Sequence, residues 1–272
     1  MRLLSAPFEP GAVAPPRGPA LAYGQVAGGG ALLAMAGVVL EWVGVAPIGH
    51  AVASGAVHGG LLALGWLLAT GAAPGWTGPV VRLGAMVVLA SVSARVHPLG
   101  ALAFLLVPGM LLLEGWRQPR LRAIGLRGAR PVHAALGLAV GAFLGAHLLV
   151  AASRTFGYRL QAGGLAPYLS ALAYDTGVNA LSAEWVFRGA VFSWLWRRWS
   201  FWPAALLTTT LSLLRYLLDP ALPHAAEAGA GAVFYLGLVG LIACALRAWS
   251  GSLLPGYLAA LAFFAAYRML AP

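Results

Sequence analysis

An all-α, polytopic transmembrane helical bundle with eight or nine spans is the fold class this sequence predicts, and three observations carry it. Hydrophobic residues make up 61% of the chain and charged residues only 9%, against about 25% charged in an ordinary soluble domain. Apolar runs of about 20 residues, the length a helix needs to cross the hydrocarbon core, recur along it. Charge gathers at the ends of those runs: the formal net charge of +10 comes from 17 arginines and no lysine, set against seven acids. In a soluble chain so basic a balance points to nucleic acid; at span ends it is explained by orientation, so the expected partner is the lipid bilayer and not nucleic acid.

The first 20 residues are rich in proline, carry Arg2, Glu9 and Arg17, and have no apolar core before Ala20. They read as a short cytoplasmic tail rather than a cleavable signal. Spans are expected at about 26 to 46, 50 to 72, 79 to 96 and 98 to 115, an N-terminal group covering 21–116. Only His97 and Pro98 separate the third and fourth, with Arg82 and Arg95 flanking the third, so this stretch reads either as two spans or as one long span plus an interfacial piece. The remainder, 117–272, supplies spans at about 132 to 152, 168 to 196, 201 to 218, 228 to 247 and 253 to 270. The first of these carries Gly137, Gly141 and Gly145 at intervals of four, a stripe that lets another helix approach closely. His133 and His147 stand near its two ends, with no partner visible in the sequence.

Orientation follows from the short loops. The cluster Arg117, Arg120, Arg122, Arg127 and Arg130 is the densest and is expected to be cytoplasmic, which also puts the Arg197–Arg198 and Arg247 turns inside and the loop with Asp219 and Glu227 outside. Arg154 and Arg159 then fall outside, against the trend. The expected location is the inner membrane of a bacterial cell, multi-pass. Cys244 has no intrachain partner, so redox chemistry is not expected. No C-x-x-C or H-E-x-x-H pattern occurs, and neither a metal nor another cofactor is expected.

One run departs from an ordinary span: Ala183-Glu184-Trp185-Val186-Phe187-Arg188-Gly189. A charged side chain at the bilayer centre costs about 2.5–3.5 kcal/mol on insertion scales, so two in one segment need a reason. Glu184 and Arg188 are four apart, a helical neighbour spacing that lets them neutralise one another. On spacing alone they are either a structural ion pair pinning helices together or part of a polar reaction or ligand site.

The same run resembles the first motif of the CPBP family, intramembrane endopeptidases related to type II CAAX prenyl proteases and to bacteriocin-processing and immunity proteins, written E-E-x-x-F-R-G. Glu184, Phe187, Arg188 and Gly189 match it, and Ala183 replaces the first glutamate. The order downstream is similar to the family's as well. Leu211-Ser212-Leu213-Leu214-Arg215 stands where F-x-x-x-H is expected, followed by Asp219-Pro220, a span with Gly237 and Gly240, and Ser250-Gly251-Ser252-Leu253-Leu254-Pro255. Ile124-Gly125-Leu126-Arg127 resembles the G-L-R that often precedes the family's core, here 117–272. In active relatives the resemblance implies a glutamate that activates water, with histidines and an amide or carboxylate that orient the water and stabilise the oxyanion. Counted from the shared motifs, the positions of the histidines and the amide hold Arg215, Ala260 and Phe264. An arginine stays protonated and is no base, while Ala and Phe neither take a proton nor bind a metal. Glu184 is left as the one motif carboxylate, with Arg188 a turn away making it a weaker base.

His224, Glu227 and Asp219 superficially resemble an acid–base cluster, but their Pro-rich loop is the ordinary place for solvated polar residues. Arg215, with Tyr216, Asn179 and Tyr257 in support, is expected either to join Glu184 and Arg188 in a cationic cluster suited to an anionic group, or to stack on aromatics and reach for the interface. The first functional expectation is a non-catalytic homologue that binds a membrane peptide, a lipidated tail or a partner protease. The alternatives are an active intramembrane endopeptidase of CAAX or C-terminal sorting type that uses Glu184, and a small transporter or lipid-binding membrane protein.

Overall fold

The computed structural model describes residues 20–71, 75–117, 121–122, 124–160, 164–217 and 226–271. The expected N-terminal tail, Arg120, Asp219 and His224 lie outside the described residues, as does the side chain of Glu227. The described chain is helical: α1 Ala20–Trp42, α2 Ala46–Thr70, α3 Thr77–Val96, a 3-10 helix Pro98–Leu105 that runs into α4 Leu106–Arg117, and α5 Pro131–Phe156. Next comes α6, made of Leu165–Tyr174, a π turn at Asp175–Asn179 and Ala180–Ser182. It is followed in sequence by α7, a π segment Ala183–Val191 and a closing turn Phe192–Trp196. Then come α8 Phe201–Leu217, α9 Ala226–Ser250 and α10 Leu254–Tyr267. The extended backbone among the described residues is one two-residue antiparallel pair, Arg159–Leu160 with Leu270–Ala271. The all-α membrane bundle is therefore borne out.

Among the described residues, five helices are long and apolar enough to cross a membrane by themselves: Leu21–Trp42, Ala46–Thr70, Thr77–Val96, Pro131–Thr155 and Val233–Ser250. The other four expected spans correspond to helices that are shorter or broken by π turns. The 14 residues of α10 give about 21 Å at 1.5 Å per residue, short of the roughly 30 Å hydrocarbon core. At the ambiguous join, α3 stops at His97 in extended conformation (φ −148°), because a residue before proline is driven out of the helical region. His97 Nδ1 accepts a hydrogen bond from the Leu99 N–H at 3.1 Å and starts the next segment, so α3 and α4 are separate elements.

The described residues form two compact units, each with its own contacts. One comprises the described parts of Ala14–Arg122 and Gly163–Ser182. In it α1 packs on α2, α2 on α3, and α6 on the 3-10 helix. Gly37 and Gly49 let α1 and α2 meet backbone to backbone: a Cβ on Gly49 would stand 2.5 Å from the Gly37 carbonyl. The other unit comprises the described parts of Ala123–Ala162 and Ala183–Pro272, with α5 on α10, α10 on α9, α9 on α8, and α7 against α8 and α9. The α5 stripe is used for helix packing. Cβ atoms on Gly137 and Gly141 would run into the carbonyls of Pro255 and Ala259 on α10. Phe192, Leu195, Phe201, Ala204, Ala205, Cys244 and Ala248 form an apolar core between α7, α8 and α9. Many large apolar side chains, among them Leu32, Met35, Leu89, Phe143 and Val150, are exposed on helix faces, as membrane-embedded helices require and soluble domains avoid.

Candidate functional site

The π segment at the head of α7 carries the motif. Helices with i→i+5 bonds are rare, occur mostly as single-turn bulges, and often mark functional sites; here the segment runs for nine residues and holds both charges of the motif. Glu184 is 2% exposed and Arg188 3%. Arg188 Nε lies 3.5 Å from Glu184 Oε1, an ion pair on one face of the segment. Arg188 Nη1 donates to Ser212 Oγ on α8 at 2.8 Å. The guanidinium also reaches α9, where a Cβ at Gly240 would stand 2.5 Å from Nη2 and 2.8 Å from Thr209 Cγ2. On the other side, Glu184 Oε2 abuts α10: a Cβ at Gly256 would stand 2.6 Å from it and 3.0 Å from Ala243 Cβ. The pair thus joins α7 to α8, α9 and α10 at once, and both glycines are needed because no side chain fits between the charges and the neighbouring backbone.

Buried polar atoms at this junction that take part in no hydrogen bond of normal geometry include Glu184 Oε2, Arg188 Nε and Thr209 Oγ1. The fully buried Cys244 thiol lies within electrostatic reach of Arg188, Glu184 and Thr209. Among the described residues no group of three or more His, Cys, Asp or Glu is arranged to hold a metal ion.

The remaining motif positions are filled by side chains of other chemistry. Ala183, Ala260 and Phe264 are buried. The Arg215 guanidinium sits over the Tyr216 ring, 4.5 Å from its centroid, and Tyr216 packs in turn on Phe264 with centroids 6.0 Å apart. This contact is the aromatic stacking named among the roles expected for Arg215, and Arg188 has Ser212, one turn earlier on α8, as a partner. Tyr257 is half-buried in the first turn of α10. Asn179 belongs to the first unit, where its side-chain amide donates to Asp175 Oδ1 at 2.9 Å within the π turn of α6.

Sequence reasoning missed a second polar group, inside the first unit. His58 of α2 meets Tyr174 Oη through Nε2 at 2.7 Å and Ser182 Oγ through Nδ1 at 3.4 Å. Ser182 also donates to the Asn179 carbonyl at 3.2 Å. A lone histidine and a lone serine in apolar spans were the visible signal, but their pairing joins residues 124 apart. His147 and His133 also acquire partners: His147 Nδ1 is 2.8 Å from Tyr235 Oη, and the His133 ring lies 4.4 Å from the Trp249 ring.

Neither a curated protein nor a solved structure shows a significant match to the chain. Residues 166–264 match the family described as type II CAAX prenyl endopeptidase Rce1-like, which bears out the recognition drawn from Glu184 to Gly189.

Proposed function

We propose that this protein is a non-catalytic relative of the type II CAAX prenyl endopeptidases that holds a membrane peptide, a lipidated tail or a partner protease without cutting it. The observation that carries this reading is the surroundings of Glu184. Its carboxylate faces Arg188, Gly256 and Ala243, and the positions that supply donors and a second carboxylate in active relatives are Ala183, Arg215, Ala260 and Phe264. Amide hydrolysis needs a base near neutral pKa and donors for the oxyanion, each typically worth factors of about 10² or more. What remains of the motif is a buried tie between helices.

A second reading has one specific observation in its favour. Glu184 Oε2 is buried and takes no hydrogen bond from the protein, and a carboxylate oxygen without a protein donor is what a base that activates water presents. Under this reading the chain is a Glu184-dependent intramembrane endopeptidase. The reading as a small transporter or lipid-binding protein has no comparable observation at Glu184. The expected sidedness is supported by the second unit, in which Gly125 and Arg127 meet Leu253, Gly251 and Ser250 at one end while Arg159 pairs with Ala271 elsewhere.

The test is a fluorescently labelled farnesylated peptide ending in C-a-a-X, presented to the purified protein in nanodiscs. Saturable binding with no product is expected. Product formation that disappears in Glu184→Gln would replace the first reading by the second.

A further inference from the structure

The second unit gathers positive charge at one end, separately from the Glu184 site. Arg247, 1% exposed, donates from Nη2 to Ser193 Oγ at 3.4 Å, and its Nε packs on Gly125, where a Cβ would stand 2.8 Å away. Gly125 has φ +103°, a left-handed conformation suited to glycine, so the close approach and the backbone turn select the same residue. The charged neighbours of Arg247 are Arg127 and Arg197. Arg127 clasps the loop after α9 through the carbonyls of Gly251 at 2.9 Å and Ser250 at 3.3 Å. Arg197 is half-buried and Arg198, the next residue, is exposed and stacked over the Trp194 ring at 4.2 Å from its centroid. Burial first, and then the charge of Arg198, hold the Arg197 guanidinium below its ordinary pKa.

The same end carries tryptophans that a water-soluble surface would not display. Trp194 is 39% exposed in the closing turn of α7, Trp199 49% in the link that follows the arginine pair, and Trp202 57% in the first turn of α8. Tryptophan concentrates at the headgroup level, where an apolar ring and a polar N–H are both accommodated. Guanidinium groups at that depth meet lipid phosphates, which they bind through a planar fork of donors. Arg247 lies within electrostatic reach of Arg127 and Arg197, and Arg197 of Arg198; with exposed indoles beside the arginine pair, this end of the unit fits an anion held at the interface.

We infer that the Arg127, Arg197 and Arg198 rim above Arg247 is a docking site for the phosphate of an anionic phospholipid headgroup. This site stands independently of whether Glu184 is catalytic. Each arginine near a charged bilayer surface contributes about 1 kcal/mol, which corresponds to about fivefold in affinity.

The test is native mass spectrometry of the detergent-solubilised full chain titrated with dioleoyl phosphatidylglycerol or dioleoyl phosphatidylcholine. The wild type is expected to retain phosphatidylglycerol preferentially. Arg197→Gln with Arg198→Gln should lower that affinity by about 25-fold and leave phosphatidylcholine unchanged. Arg198→Lys should keep part of the preference, which separates lost charge from misfolding, and Arg95→Gln, at an exposed position of α3 in the other unit, should keep all of it. Inorganic phosphate at millimolar concentration should fail to displace the lipid. Equal binding of the two lipids, an equal loss in Arg95→Gln, or complete displacement by inorganic phosphate would each overturn the assignment.

Discussion

Replacing Arg188 by leucine should be among the most damaging single substitutions in the second unit. The change strands a Glu184 carboxylate that is 2% exposed and whose neighbouring cation stood 3.5 Å away. Breaking a buried pair by removing one partner costs about 3–5 kcal/mol, because an uncompensated charge stays inside. The lost hydrogen bond to Ser212 is a smaller matter: side-chain hydrogen bonds between membrane helices average about 0.6 kcal/mol and reach about 1.7. Arg188→Leu should therefore destabilise by several times more than Ser212→Ala. Removing both charges, as in Glu184→Leu with Arg188→Leu, should recover most of the loss, since apolar replacements of a buried pair are often neutral. Equilibrium unfolding in mixed micelles measures these three variants and the single Glu184→Leu against the wild type. An Arg188→Leu protein within about 1 kcal/mol of wild type, or a double variant as unstable as the sum of the singles, would refute the idea that this ion pair ties the helices together.

Three further outcomes follow from the packing. Gly256→Ala should destabilise and displace Glu184, because the added methyl meets Oε2 at 2.6 Å and Ala243 Cβ at 3.0 Å; the same unfolding titration reads it, and a wild-type midpoint would count against the arrangement. Gly141→Ala should weaken the α5–α10 contact by pressing on the Ala259 backbone, whereas Gly28→Ala, with nothing within 4 Å, should be neutral or stabilising by up to about 1 kcal/mol. His58→Phe should cost about 1–3 kcal/mol, the cost of leaving buried donors and acceptors unpaired, since Tyr174 Oη and Ser182 Oγ both lose the imidazole; Tyr174→Phe alone should cost less.

Helix positions were legible because they rest on run length and on proline, which act within the chain. The His97-Pro98 junction shows this: steric exclusion before proline ends α3 where the residues say it must. The glycine stripe on α5 was legible as a packing face, but its partner on α10 was not, since nothing local names the opposing carbonyls. The Glu184–Arg188 pair was visible from its spacing of four, while the π geometry that holds it was not. The glycines against which the two charges lie, Gly240 and Gly256, are more than fifty residues downstream of the pair. For Arg215 the sequence left two roles open; the structure adds its contact with Tyr216, which packs on Phe264, an aromatic pair assembled from different helices. The His58 group shows the same limit: each residue is unremarkable in its own span, and its meaning lies in a contact between α2 and α6.

The most direct measurement of the central claim is peptide turnover. Wild-type protein and Glu184→Gln, each in nanodiscs with a labelled farnesylated C-a-a-X peptide, should bind the peptide and release no product over hours. Cleavage by the wild type that is abolished in Glu184→Gln would contradict the claim and show that Glu184 works as a base despite Ala183, Arg215, Ala260 and Phe264.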